Sequence, residues 1–157
     1  MPAVLIVESD EDLRDILVEG FRMEGWTSVA AAGMPEAISK ASGVRVDVVL
    51  TDVILSRGDG VALELAFRRR NELRHVPFVF MTAFAPYLDQ LGPGRALLKP
   101  FRLEQACVLL QSALSADPGR LKRGALACDA RLPPPTDAPG SPDRGAAAPA
   151  DLRTRPS

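Results

Sequence analysis

Two periods alternate along the chain. Short apolar runs occur at Val4-Leu5-Ile6-Val7, at residues 26–31, at 46–50, at Pro77-Phe78-Val79-Phe80-Met81 and at Ala96-Leu97-Leu98. Each has the length and β-branched or aromatic content of a strand, and the run at 46–50, broken only by Asp47, reads as a strand buried on both faces. Between the runs, apolar residues recur three and four apart. Leu13, Ile16, Leu17, Gly20 and Phe21 predict a helix over 11–24, closed by Gly25. Gly33, Pro35 and Glu36 open a second helix whose apolar face is Ala37, Ile38 and Ala41, ending at Gly43. Val61, Leu65 and Ala66 predict a third, from Gly60 to about Arg70, and Leu103, Ala106, Cys107, Leu110 and Leu114 mark the last. Within 84–94, Pro86, Gly92, Pro93 and Gly94 leave only residues 87–91 for a helical turn, so no full fourth helix is expected.

Five strands alternating with helices, joined by right-handed crossovers, give a parallel sheet with helices on both faces. The C-terminal strand ends then share one edge, where open α/β sheets bind their ligands. Glu8-Ser9-Asp10, Asp52, Thr82 and Lys99 each follow a different strand, so acids, a hydroxyl and an ammonium should meet at one crevice. Asp52, between a buried strand and the turn Gly58-Asp59-Gly60, is the candidate nucleophile. Its competing role is to cap the turn that follows. The acids after the first strand have two readings as well: Ser9 with Asp12 resembles a capping box, and the remaining oxygens suit a hard cation such as Mg²⁺. Acids for a metal, with a hydroxyl and an ammonium for phosphoryl oxygens, suit phosphoryl transfer to Asp52.

Composition changes this picture mainly at the C-terminus. Of residues 117–157, 8 are Pro and 4 are Gly, a level expected of disordered sequence, so residues 1–116 are expected to form the folded domain. The net charge of -1 gives no field for nucleic acid or an anionic membrane. With no signal-peptide core or membrane-length apolar stretch, the expectation is a soluble cytoplasmic protein. The 2 cysteines, Cys107 and Cys128, are too few for a disulfide framework and lack zinc-ligand neighbours; Cys107 reads as helix core. The single histidine, His75, reads as structural, and Arg68-Arg69-Arg70 as a solvated helix end suited to the macrodipole.

The segments 4–14, Leu50-Thr51-Asp52 through Gly58-Asp59-Gly60, Met81-Thr82-Ala83 and Lys99-Pro100-Phe101 together resemble the receiver domain of two-component response regulators, over about residues 3–114. The Asp-Gly pair begins seven residues after Asp52, and the Thr-Ala and Lys-Pro pairs follow in the family's order. The resemblance implies a flavodoxin-like (βα)5 fold, strand order 2-1-3-4-5, with a shortened fourth helix. It implies that a histidine kinase or phosphotransfer protein donates a phosphoryl group to Asp52, with Thr82, Ala83 and Lys99 binding the phosphate. Mg²⁺ would lie among Glu8, Ser9, Asp10, Asp52 and the Ile54 carbonyl, and the Lys99-Pro100 bond would be cis. Ile54 and Phe84 occupy the places that govern acyl-phosphate lifetime in the family.

The departures from the family pattern carry information too. The family has two adjacent acids after the first strand, the second binding Mg²⁺, where this chain has Glu8 and Ser9; weak metal binding is expected. The interval from Thr82 to Lys99 is shorter than usual. Ala96 stands where the family has an aromatic switch residue, three before the lysine. Shortened receivers of this kind resemble those attached to, or serving, hybrid histidine kinases. Two function classes follow: a phosphoacceptor in a relay, and a phosphorylation-independent binding module that kept the fold. The phosphoacceptor is expected to be no enzyme toward other molecules, to bind no nucleic acid or membrane, and to be a monomer or weak homodimer. A truncated transcription factor fits less well, because the tail has no helix-turn-helix pattern.

Overall fold

A computed structural model describes residues 1–116, so the tail expectation and Cys128 lie outside the described residues. The chain runs β1 (Ala3–Val7), α1 (Glu11–Met23), β2 (Thr27–Ala31), α2 (Met34–Gly43), β3 (Val48–Asp52), α3 (Gly60–Arg68), β4 (Phe78–Thr82), α4 (Pro86–Leu91), β5 (Ala96–Leu98) and α5 (Leu103–Ser115). All strand pairs are parallel and the sheet order is β2-β1-β3-β4-β5, the flavodoxin-like arrangement expected.

Alternation along each strand divides the core into two. Val4, Ile6, Val48, Leu50, Val79 and Met81 face α1 and α5, where Leu17, Phe21, Ala106, Cys107 and Leu110 close the layer. Leu5, Val7, Val49, Phe78 and Phe80 face the other way, under Ala37 and Ala41 of α2, Leu63 and Phe67 of α3, and Tyr87 and Leu91 of α4. Successive side chains of a strand point to opposite faces, so a sheet covered on both sides requires unbroken apolar runs. The helix α4 has six residues and ends at Gly92, whose φ of 92° stops the helix.

Three local readings are corrected. The third strand begins two residues later than 46–50, because Asp47 anchors the strand entrance: its Oδ2 accepts the Ala3 N–H at 2.8 Å and its N–H donates to the Ala3 carbonyl at 2.9 Å. Asp52 thereby becomes the last residue of β3, opposite Met81. On α3 the buried face is Gly60, Leu63, Glu64 and Phe67, while Leu65 is exposed, because the helix starts with Gly60 pressed on the end of β3. Arg68 is no solvated helix end. Its Nη1 donates to the carbonyls of Arg74 and Val76, its Nη2 to Glu64 Oε1 at 3.1 Å, and its guanidinium lies 5.6 Å from the Phe78 ring centroid. Arg95 joins the same carboxylate at 2.7 Å and stacks over Phe80, so α3, β4 and the start of β5 are tied through one buried acid.

Candidate functional site: an acid, ammonium, acid cluster at the sheet edge

Glu8, Asp52, Thr82 and Lys99 all sit at the C-terminal edge, as strand polarity requires. Lys99 Nζ lies 2.7 Å from Glu8 Oε2 and 2.6 Å from Asp52 Oδ2, so one ammonium bridges two carboxylates from neighbouring strands. Glu8 is 3% exposed. Its other oxygen accepts the Asp10 N–H at 3.1 Å, and the Arg14 guanidinium donates to its backbone carbonyl at 2.9 Å. Asp52 Oδ1 accepts the Ile54 N–H at 3.3 Å. The cluster carries one positive and two negative charges, a net negative crevice.

Electrostatics follow from that arithmetic. Burial pushes the Asp52 carboxyl above its ordinary value, the hydrogen bond and charge of Lys99 pull it back in part, and the neighbouring Glu8 charge raises it. Burial pulls the Lys99 ammonium down, yet its bonds to Asp52 and Glu8 outweigh that and hold it above the ordinary lysine range. Both groups therefore move upward: Asp52 because burial, helped by the Glu8 charge, outweighs the pull of Lys99, and Lys99 because two carboxylates hold its proton.

The remaining expected site residues divide. Thr82 is buried at the end of β4, with Oγ1 accepting the Phe84 N–H at 3.0 Å, so its hydroxyl is committed to the β4–α4 segment. Ala83 is exposed beside it, and Phe84 is half-buried with its ring edge-on to Tyr87, centroids 5.0 Å apart. Ile54 is half exposed. The Lys99-Pro100 bond is cis. Asp10 is not gathered into the cluster: it is the N-cap of α1, its Oδ1 accepting the Leu13 N–H at 3.0 Å, which also displaces the Ser9/Asp12 capping box. The Ser9 hydroxyl accepts the Ser56 N–H at 2.8 Å and donates to the Ala32 carbonyl at 3.3 Å. His75 is exposed and accepts from Arg74 Nε at 3.3 Å. Arg14 went unread in the sequence, although its place one turn inside α1 beside the acidic patch was a signal for it.

Mg²⁺ is held by one or two carboxylates, with water and phosphate oxygens completing its shell. Glu8 and Asp52 supply such a pair, so the residues fit a divalent cation, with the Lys99 ammonium as the competing positive charge. Among the described residues no group of three or more His, Cys, Asp or Glu is placed to hold a metal.

The family model of the response regulator receiver domain matches residues 4–111. The chain belongs to that family. Among its relatives is the transcriptional regulatory protein TrcR of Mycobacterium tuberculosis, 31% identical over 116 residues, which cover 71% of this chain and 44% of that protein. The chain spans half or less of the length of such full-length regulators. Among solved structures, this receiver is similar to the chemotaxis response regulator CheY4 of Vibrio cholerae, 25% identical with a TM-score of 0.65, over 72% of this chain and 98% of that one. It shares its fold with the response regulator TrrA of Thermotoga maritima, solved in complex with Mg²⁺ and BeF, at 20% identity and a TM-score of 0.63, over 72% and 99% of the two chains. No described helix of this receiver is long and apolar enough to cross a membrane.

Proposed function

We propose that this receiver is a phosphoacceptor in a two-component phosphorelay, with Asp52 as the nucleophile. The observation that carries the reading is the Glu8, Lys99, Asp52 cluster. A carboxylate at the end of a central strand is held by an ammonium that it shares with its neighbour, leaving an Asp52 oxygen at a charged, partly open edge. An Asp52 oxygen attacks the phosphorus of a phosphohistidine whose other ring nitrogen is protonated; the P–N bond breaks, its electron pair stays on nitrogen so that the ring leaves as neutral imidazole, and an acyl phosphate remains. Lys99 then pairs with the phosphoryl oxygens, and the Thr82 hydroxyl and Ala83 N–H donate to them once Thr82 leaves the Phe84 N–H. Glu8 and Asp52, with the Ile54 carbonyl, would hold Mg²⁺, which would offset the phosphoryl charge. That TrrA was solved with Mg²⁺ and BeF supports this assignment.

The donor is a histidine kinase or phosphotransfer protein. Beside Lys99 and Pro100 an apolar groove of about 500 Å³ is lined by Leu13, Ile16, Leu17 and Phe101, and Ile16 is 67% exposed. Such a surface suits the apolar face of a donor helix bringing its histidine to Asp52. The protein acts on its own carboxylate and on no other substrate, and we assign it to the cytoplasm, where such donors act. The alternative, a phosphorylation-independent binding module, draws on the commitment of Ser9 and Asp10 to backbone groups, which leaves few ligands for a metal.

Incubating the full chain with Mg²⁺ and acetyl phosphate tests the two. The expected result is one base-labile phosphate on the wild type and none on Asp52→Asn. Undiminished uptake by Asp52→Asn refutes the assignment, and no uptake by the wild type favours the binding module.

A further inference from the structure

The loops at the sheet edge are tied together by a residue that the sequence placed among the metal ligands. Ser9, directly after Glu8, accepts the Ser56 N–H at 2.8 Å and donates its hydroxyl proton to the Ala32 carbonyl at 3.3 Å. Ser56 lies in the segment between β3 and α3, and Ala32 in the segment between β2 and α2. One hydroxyl therefore joins the connections that leave β1, β2 and β3. A second contact reinforces it: the Met34 N–H donates to the Arg57 carbonyl at 3.4 Å. Gly58, at a φ of 89°, turns the chain against the Met34 side chain.

We propose that Ser9 is a positioning residue: it clips the β3–α3 loop to the β2–α2 loop and leaves the cation to Glu8 and Asp52. The hydroxyl has one proton, and that proton goes to Ala32. A neutral oxygen already accepting a backbone N–H is a poor ligand for a hard cation beside two carboxylates. A carboxylate at position 9 accepts the Ser56 N–H equally well but has no proton for Ala32, so it brings charge at the expense of the clip.

The clip adjoins the site through the chain that it holds. Three residues separate Ser56 from Asp52, and the N–H of the middle one, Ile54, donates to Asp52 Oδ1. Ile54 is also bridged to Asp59, the N-cap of α3. Fixing Ser56 fixes the outer part of this loop, while the contacts to Asp52 and Asp59 hold Ile54 itself, so losing the clip frees Ser56 and leaves the Ile54 carbonyl in place. Only the assignment of the cation to Glu8 and Asp52 rests on the reading of Asp52 as phosphoacceptor. The clip itself is independent of it.

The test compares wild type, Ser9→Ala and Ser9→Thr by amide hydrogen exchange at Ser56, without donor or metal, and by Mg²⁺ calorimetry. Removing this solvent-exposed hydrogen bond should speed exchange of the Ser56 amide roughly fivefold in Ser9→Ala. Ser9→Thr, which keeps donor and acceptor, should restore protection. The Mg²⁺ dissociation constant should stay within about twofold in both variants, because neither loses a carboxylate ligand. Unchanged Ser56 exchange in Ser9→Ala overturns the clip. A tenfold or greater loss of Mg²⁺ affinity in Ser9→Ala returns Ser9 to the metal and overturns the proposal equally. Because exchange is read without phosphate, failure here is distinguishable from failure of the phosphoacceptor reading, which the Asp52→Asn experiment decides alone.

Discussion

Replacing Gly60 with alanine sets two effects of opposite sign against each other. Gly60 is the first residue of α3, and alanine improves helix propensity over glycine by up to about 1 kcal/mol, so propensity alone predicts a more stable protein. Packing predicts the reverse. A Cβ at Gly60 would lie 2.4 Å from the Asp52 carbonyl oxygen and 3.0 Å from Thr51 Cγ2, whereas ordinary contact begins at 3.4 Å. The backbones must separate by roughly 1 Å. Neither side yields cheaply: the Gly60 N–H is bonded to the Val53 carbonyl at 2.8 Å, and the Asp52 carbonyl accepts the Thr51 hydroxyl at 3.0 Å. Overpacking costs roughly 1–3 kcal/mol, and because the nearest atom is a backbone oxygen that cannot swing aside the cost falls in the upper part of that range, roughly 2–3, which less the propensity gain leaves a net loss of about 1–2 kcal/mol. For a domain of this size the melting temperature should fall by roughly 5 °C.

Gly43 supplies the control. It is the last residue of α2, and nothing lies within 4 Å of a Cβ built there, so Gly43→Ala should leave the melting temperature unchanged or slightly raise it. Thermal melts of the full chain, with urea unfolding for the energies, measure both variants. Because the displaced carbonyl belongs to Asp52, Gly60→Ala should also slow phosphate uptake, while Gly43→Ala should not. A Gly60→Ala protein that melts at or above the wild-type temperature refutes the packing argument.

Asp52→Asn should stabilise the domain at neutral pH. With its folded-state pKa raised above the ordinary 3.8, the ionised carboxylate costs stability once the pH rises through that folded value, and the difference should vanish below pH 3.8. A pH series of melts on both proteins checks this, and a wild type more stable than Asp52→Asn at pH 7 counts against the site's electrostatics. Ser9→Asp should bind Mg²⁺ more tightly, by adding a charged oxygen beside Glu8 and Asp52. Calorimetry is the suitable readout, since Trp26 precedes β2 at the opposite edge of the sheet and would report poorly by fluorescence; equal affinities refute the expectation. Phospho-Asp52 should persist longer than in Ile54→Asn/Phe84→Glu, because neither wild-type side chain orients an attacking water. Following phosphate loss in saturating Mg²⁺ decides, and a wild-type rate at or above the double variant's is the contrary result.

Much of the site was legible because its residues are placed by strand polarity. Once Val4-Leu5-Ile6-Val7 and the runs before Thr82 and Lys99 are read as parallel strands, their ends must meet, and the groups at those ends need no further geometry. What failed were readings that depended on which of several chemically able groups answers a given backbone donor. Ser9 and Asp10 both cap helices well, and only the path of the β3–α3 loop decides that Ser9 takes Ser56 while Asp10 takes Leu13. Asp47 looked like an interruption inside a strand, yet it is the anchor of the Ala3 amide, a partner 44 residues away, and so it moved the start of β3.

The buried Glu64 takes this furthest. On α3 it falls on what periodicity assigns to the solvent side, and nothing within its helix except Arg68 forewarns of burial. Its burial is made tolerable by Arg95, 31 residues on, which reaches the same oxygen from the start of β5. A carboxylate leaves water only when paired and hydrogen-bonded. The helix between β4 and β5 has only six residues, and Arg95 covers Phe80 from the short connection that follows it. The short fourth helix and the buried acid are thus parts of one arrangement: what the helix does not cover, a paired arginine does, and its pairing requires Glu64 to face inward.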